Sequence, residues 1–191
     1  MKRDQEILLL RHGQTPGNAL RQYIGVTDEH LSPEGIAQLS ALAYPPADTV
    51  YVSPMLRCRE TAALLFPGAE LISVEGLQEM DFGCFEGRSF LDMEHDPDYR
   101  AWVDSGCESP VPGGEDKAGF TDRCCAAFLS VLDSSDAETL TFVVHGGTIM
   151  SVLSRFAVPA RGYYGWFTPN GHGFRLRRRP DSRTLELIGE V

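Results

Sequence analysis

Short apolar runs alternating with stretches of helical spacing constrain the fold of this chain more than any other feature. EILLL (6–10), TVYVS (49–53), ELISV (70–74) and TLTFVV (139–144) are of strand length and end at polar or turn-forming residues, as buried strands do. Between them lie SPEGIAQLSALAY (32–44), PMLRCRETAALLF (54–66), EDKAGFTDRCCAAFLSVLDSS (115–135) and GTIMSVLSRFAV (147–158), with apolar residues three and four apart. The first of these opens as a helix should, with Ser32 as N-cap, Pro33 at the first helical position and Glu34 in the first turn. In the third, Phe120, Cys124, Ala127, Phe128, Val131 and Leu132 share one helical face. This alternation predicts an α/β fold, a three-layer αβα sandwich with a mainly parallel sheet and helices on both faces. The tail, GHGFRLRRRPDSRTLELIGEV, predicts two further strands around a turn at Pro180-Asp181-Ser182, free to run antiparallel. Its alternating RLRRR (175–179) reads as the exposed face of an edge strand.

At 191 residues the chain suits one domain spanning 1–191. The segment from about 80 to 112 is rich in turn formers and acids and reads as a small cap, with short helices around 89–95 and 97–105. A formal net charge of −10 argues against nucleic acid and anionic membrane surfaces as partners. No stretch approaches the roughly 20 apolar residues of a membrane span. The start, MKRDQEILLLRHG, does not have the form of a secretory leader. The five cysteines form no C-x-x-C pair, so reduced thiols and a cytoplasmic location are expected.

In a parallel sheet the ligand site lies beyond the carboxyl ends of the strands, and three of those ends carry chemistry. The first strand delivers Arg11-His12-Gly13, the second runs through Ser53 into a helix bearing Arg57, and the fourth delivers His145-Gly146-Gly147. Each motif alone has an ordinary structural explanation; parallel topology would bring all three to one edge. Guanidinium forks and a glycine-rich helix N-terminus both favour a tetrahedral oxyanion, which points to a phosphoryl group. A neutral imidazole attacks phosphorus and would form a phosphohistidine. Arg11, Arg57 and the second imidazole would hold the phosphoryl oxygens. The leaving alkoxide needs a proton, for which Glu79 is the candidate, with Asp81 and Glu86 as rivals. Two guanidiniums would repel a divalent cation, and no H-E-x-x-H spacing is present, so no metal is expected.

LLLRHGQTPGN, VYVSPMLRCRETA, LQEMDFGCFEG and VVHGGTI occur in that order, and together they resemble the R-H-G-x-T-x-x-N, S-x-x-x-R-x-x-x-T, L-x-E-x-x-x-G-x-x-E-G and second-histidine motifs of the histidine phosphatase superfamily, also called phosphoglycerate-mutase-like. The resemblance implies that fold, His12 as the phosphorylated nucleophile and Glu79 as proton donor. It also implies a phosphate pocket of Arg11, Arg57 and His145 lined by Thr15 and Asn18, and neither metal nor organic cofactor. The short connection from Gly87 to PGGED (112–116) is similar to the smaller phosphatases rather than to the mutases. The stretch GNALRQYIGVTDEHL resembles the α-ribazole-5′-phosphate phosphatase branch, which works in cobalamin nucleotide-loop assembly; Arg21 departs from its pattern, standing two positions before Tyr23 instead of beside it. The expected partner is a small phosphorylated metabolite, with Tyr23 and Gly146 among the residues that contact it. Tyr23, Phe82, Phe85, Tyr99 and Trp102 either stack on an aromatic base or form the core of the cap. A phosphoglycerate mutase or a broad-specificity phosphatase would use the same residues.

Overall fold

The computed structural model describes residues 3–180 and 182–191; of the turn expected at Pro180-Asp181-Ser182, Asp181 lies outside the described residues. The strands are β1 (Gln5–Arg11), β2 (Thr49–Val52), β3 (Glu70–Ser73), β4 (Thr139–Val144), β5 (Ala157–Val158), β6 (Gly173–Arg178) and β7 (Leu185–Glu190). They form one sheet in the order β3-β2-β4-β1-β6-β7-β5. β3, β2, β4 and β1 are mutually parallel, β6 runs antiparallel to β1 and β7, and β5 is parallel to β7.

The helices are α1 (Pro16–Ala19), α2 (Pro33–Ser40), α3 (Leu56–Leu65), α4 (Pro97–Asp104), α5 (Lys117–Ser134) and α6 (Gly146–Phe156). Alternation along β1 divides the core. Ile7 and Leu9 join Phe128 and Leu132 of α5 and Ile149 and Val152 of α6 on one face. Leu8 and Leu10 join Cys58 and Ala62 of α3 on the other. The result is the expected αβα sandwich, with burial on both faces of β1 accounting for its unbroken apolar run. The adjacent Cys124 and Cys125 point into different clusters, Cys125 into the α5–α6 core and Cys124 into a third cluster with Met80, Phe85, Met93 and Trp102. Among the described residues no helix is long and apolar enough to cross a membrane.

Three local expectations are corrected. RLRRR does not lie on an edge strand: β6 sits between β1 and β7, and Arg175 and Arg177 are tolerated there because both approach Glu6 of β1 at 3.6 Å. Of residues 89–95, Ser89 bridges to Gln22 and 90–95 form turns, since the Asp92 carboxylate accepts from the Ser89 backbone and hydroxyl at 2.8 and 2.7 Å and so competes with helical pairing. The helix expected to reach 44 ends at Ser40, ahead of Pro45-Pro46, which disfavour helical backbone in the residues before them.

Candidate active site

The sheet itself brings the candidate residues together. Arg11 of β1 pairs with Val144 of β4, and Val52 of β2 with Val143. The ladder runs one residue further: the His12 amide donates to Val144 O at 2.9 Å and the Ser53 amide to Val143 O at 3.2 Å. His12 and Ser53 therefore flank His145. The two imidazole centroids lie 5.2 Å apart, edge to face.

His12 is 4% exposed and lines a cavity of about 280 Å³ together with Arg11, Glu79 and Gly146. Its Nδ1 sits 2.7 Å from Gly13 O. A carbonyl only accepts, so Nδ1 carries the proton and Nε2 keeps its lone pair. Burial, then the charges of Arg57 and Arg11, hold the ring well below the usual imidazole pKa, outweighing the Gly13 bond. The turn after His12 is fixed by the Gly13 amide donating to Thr61 Oγ1 at 2.8 Å, and by Asn170, whose Nδ2 donates to His12 O at 3.0 Å and to Asn18 Oδ1 at 3.1 Å.

Arg57 and His145 are completely buried. The expectation that both imidazoles face the cavity is met by His12 alone; His145 and Arg57 form the layer behind it. His145 Nε2 lies 2.7 Å from Ser53 Oγ, and its Nδ1 accepts from Arg57 Nε at 3.3 Å. Burial and the Arg57 charge also press the His145 pKa well down. Arg57 donates further to Thr27 O at 2.8 Å and Gly25 O at 2.7 Å. Arg11 donates to Thr168 O at 2.9 Å and lies over the Phe167 ring. Its Nε is buried without a protein partner among the described residues, and buried donors are rarely left so.

Glu79 is the one carboxylate of the three candidates at the cavity wall. Its Oε1 accepts from the Met80 amide and its Oε2 from the Gly147 amide, both at 3.0 Å. Burial raises its pKa against the opposing pull of those two bonds and of Arg57 and Arg11. A Cβ at position 147 would meet Glu79 Oε1 at 2.2 Å, so any residue but glycine there displaces that carboxylate. Asp81 is turned back to the Gly83 amide at 2.8 Å, and Glu86 is surrounded by backbone amides of residues 25–27. Neither borders the cavity.

Asn18, Tyr23 and Gly146 line the cavity as expected. Thr15 does not: it is fully buried, and its hydroxyl accepts from the Asn18 amide as the N-cap of α1. Of the aromatic candidates, Tyr23, Phe82 and Trp102 border the cavity, while Phe85 and Tyr99 pack behind them. Sequence reasoning missed Lys117, Tyr163, Tyr164 and Phe167 on the wall, and Asn170 beneath it. Among the described residues no cluster of histidine, cysteine and carboxylate side chains could hold a metal ion.

The sequence model of the histidine phosphatase superfamily (branch 1) matches residues 7–190. The adenosylcobalamin/alpha-ribazole phosphatase of Salmonella typhimurium is 31% identical over 173 residues, 85% of each chain. The metal-independent phosphoserine phosphatase of Arabidopsis thaliana is 29% identical, covering 78% of this chain and 68% of its own. The crystal structure of the alpha-ribazole phosphatase from Shigella flexneri superposes with a TM-score of 0.82 at 23% identity, over 97% of this chain and 96% of that one.

Proposed function

From the premise that the chain belongs to the histidine phosphatase superfamily, branch 1, and is a phosphoric monoester hydrolase, we propose that it works without metal through a phosphohistidine on His12, with α-ribazole 5′-phosphate as its substrate. The observation that carries the chemistry is the 2.7 Å approach of His12 Nδ1 to Gly13 O, which places the proton on Nδ1, while burial and the charges of Arg57 and Arg11 disfavour a second proton on Nε2. The Nε2 lone pair forms the new bond to phosphorus as the bond from phosphorus to the leaving oxygen breaks. That oxygen keeps the electron pair and takes the proton of Glu79. Water then attacks the phosphohistidine, passes a proton to the Glu79 carboxylate and releases inorganic phosphate, restoring His12.

Arg11, with its free Nε, and the positive N-terminus of α6 at Gly146 hold the phosphoryl oxygens. Arg57 and His145 hold charge and hydrogen-bonding capacity immediately behind. Asn18 and Tyr23 flank the ester. The ring walls of Tyr23, Phe82, Trp102 and Phe167 suit a flat heteroaromatic base, as in the compound named for the Salmonella relative; this supports a place in cobalamin assembly. Lys117 favours a second reading. Its ammonium stands at the cavity wall over Tyr163, 4.4 Å from the ring centroid, paired with Glu108 Oε1 at 2.5 Å, and the carboxylate of phosphoserine or phosphoglycerate would share or displace that partner.

Rapid-quench experiments with a phosphate-labelled ester in the presence of chelator test the chemistry. Acid-labile phosphate should map to His12 and be absent in His12→Asn; full turnover by that variant, or activity lost in chelator and restored by zinc or manganese, would refute it. A side-by-side screen of α-ribazole phosphate, phosphoserine, sugar phosphates and 3-phosphoglycerate, scored for phosphate release and for isomerisation, decides the substrate.

A further inference from the structure

The carboxylate of Glu86 lies outside the cavity yet receives an unusual convergence of donors. The Gly25 amide reaches Oε1 and Oε2 at 3.0 and 3.1 Å, the Val26 amide Oε1 at 3.0 Å and the Thr27 amide Oε2 at 3.3 Å. The Thr27 hydroxyl donates to Oε2 at 2.7 Å and the Phe82 amide to Oε1 at 3.1 Å. A single carboxylate thus gathers three consecutive amides of the 25–27 loop. The carbonyls of that same loop, at Gly25 and Thr27, are the acceptors for Arg57 Nη2 and Nη1. The loop is pinned to α3 next to Arg57 as well: Asp28 Oδ1 accepts from the Leu56 amide and Glu60 Oε2 from the Leu31 amide, both at 2.8 Å. It passes so close to the 80s segment that a Cβ at Gly25 would meet Met80 O at 1.8 Å.

We propose that Glu86 is a positioning residue for Arg57: it binds the amides of the 25–27 loop so that the loop's carbonyls hold the guanidinium against His145, in the layer directly behind His12. The proposal rests on the reading that Arg57 serves the phosphoryl group. The side chain must be a full-length carboxylate. Glutamine offers one acceptor oxygen and turns an NH₂ toward amides that themselves donate, and aspartate is a methylene short. A guanidinium with a partner on each of its three nitrogens cannot shift without breaking them, and small displacements of such groups cost about 10²-fold in rate.

A double-mutant cycle tests this, read on kcat/KM and on equilibrium binding of inorganic phosphate measured by calorimetry. Glu86→Gln should lower kcat/KM by about 10- to 100-fold and Arg57→Ala by about 10²- to 10³-fold. The Glu86→Gln factor should be the same for p-nitrophenyl phosphate and an alkyl phosphate, because Arg57 acts on the phosphoryl group and not on the leaving oxygen. In the Arg57→Ala background, Glu86→Gln should change neither rate nor phosphate affinity further, as expected of residues that act through one another. Equal effects of Glu86→Gln in both backgrounds, or wild-type phosphate affinity in Glu86→Gln, overturn the proposal. If Glu86→Gln does not fold, Thr27→Val, which removes only the 2.7 Å hydroxyl bond, enters the same cycle under the same criteria. Absence of a phosphoenzyme on His12 would overturn the covalent chemistry alone; the phosphate-binding arm of the cycle would still decide the role of Glu86.

Discussion

Replacing Glu79 with glutamine separates the acid from everything else in the cavity. Each carboxylate oxygen accepts one backbone amide, from Met80 and Gly147 at 3.0 Å, so a proton can sit only on the remaining lone pair of either oxygen. Burial raises the pKa of the group and keeps that proton available. Glutamine preserves the volume but supplies no proton, and it turns its NH₂ toward one of the two amides. The misfit costs about 1–3 kcal/mol of stability, a fall of several degrees in Tm for a chain of this size. General acids supply about 10²- to 10⁴-fold. An alkyl phosphate should therefore lose ~10³-fold in kcat/KM, about 4 kcal/mol of transition-state stabilisation. p-Nitrophenyl phosphate, whose phenolate leaves with little protonation, should lose less than about tenfold by the same reasoning. The pH profile carries a second signature. Glu79 works protonated, so the rate falls as pH rises through its raised pKa; His12 works neutral, so the rate falls as pH drops through its lowered one. In Glu79→Gln the alkaline limb should vanish for the alkyl ester while the acid limb stays. Steady-state assays of both esters across pH decide the matter: equal losses on the two, or an unmoved alkaline limb, remove Glu79 from the role.

Gly147→Ala should reproduce the leaving-group pattern of Glu79→Gln without replacing a titratable group, because its Cβ would meet Glu79 Oε1 at 2.2 Å and displace that carboxylate; wild-type activity on an alkyl phosphate would contradict the close packing. Asn170→Ala removes the donor to His12 O and Asn18 Oδ1 and should lower stability by about 1–2 kcal/mol, measured by urea unfolding, with kcat/KM falling about tenfold as His12 loses its fixed orientation. His12 and His145 have their pKa values pressed well below the unfolded value of 6.5 by burial and the neighbouring guanidiniums, so their stability contribution is complete above that pH and is lost below it. Between pH 6.5 and 5.5 the pair should cost about 2 kcal/mol, and His145→Asn should remove about half of that decline in urea melts; an identical decline in the variant would show that His145 is protonated in the native protein.

The candidate site was legible because most of its residues sit at or just beyond strand ends. Period and run length mark strands, parallel strands share one edge, and Arg11, His12 and His145 meet for that reason; Arg57 joins them from the first turn of α3, the helix that follows β2. What stayed hidden depends on pairings remote in sequence. Asn170 belongs to an ordinary turn-forming stretch, TPNGHG, and reaches His12 only because β6 returns antiparallel beside β1. Lys117, Tyr163 and Tyr164 reach the cavity from the N-terminus of α5 and the turn after β5, whose distance from His12 no local pattern encodes. Thr15 looked like a ligand and proved to be a helix cap, a role its residue type serves equally well.

Glu79 and Glu86 make the sharper case. They lie in one motif, and nothing in their sequence neighbourhoods separates an acid from a scaffold. In the fold the donors around each decide. Glu86 meets amides from three consecutive loop residues, a hydroxyl and the Phe82 amide, so its lone pairs are committed and it has nothing to offer a leaving group. Glu79 meets two amides at the cavity wall and keeps lone-pair capacity for a proton that burial helps it retain. On the proposed reading, a carboxylate here serves as an acid by being under-supplied with donors and as a positioning group by being saturated with them. Adding a donor to Glu79 or withdrawing one from Glu86 should therefore impair different steps, proton delivery in the first case and the grip on the phosphoryl group in the second.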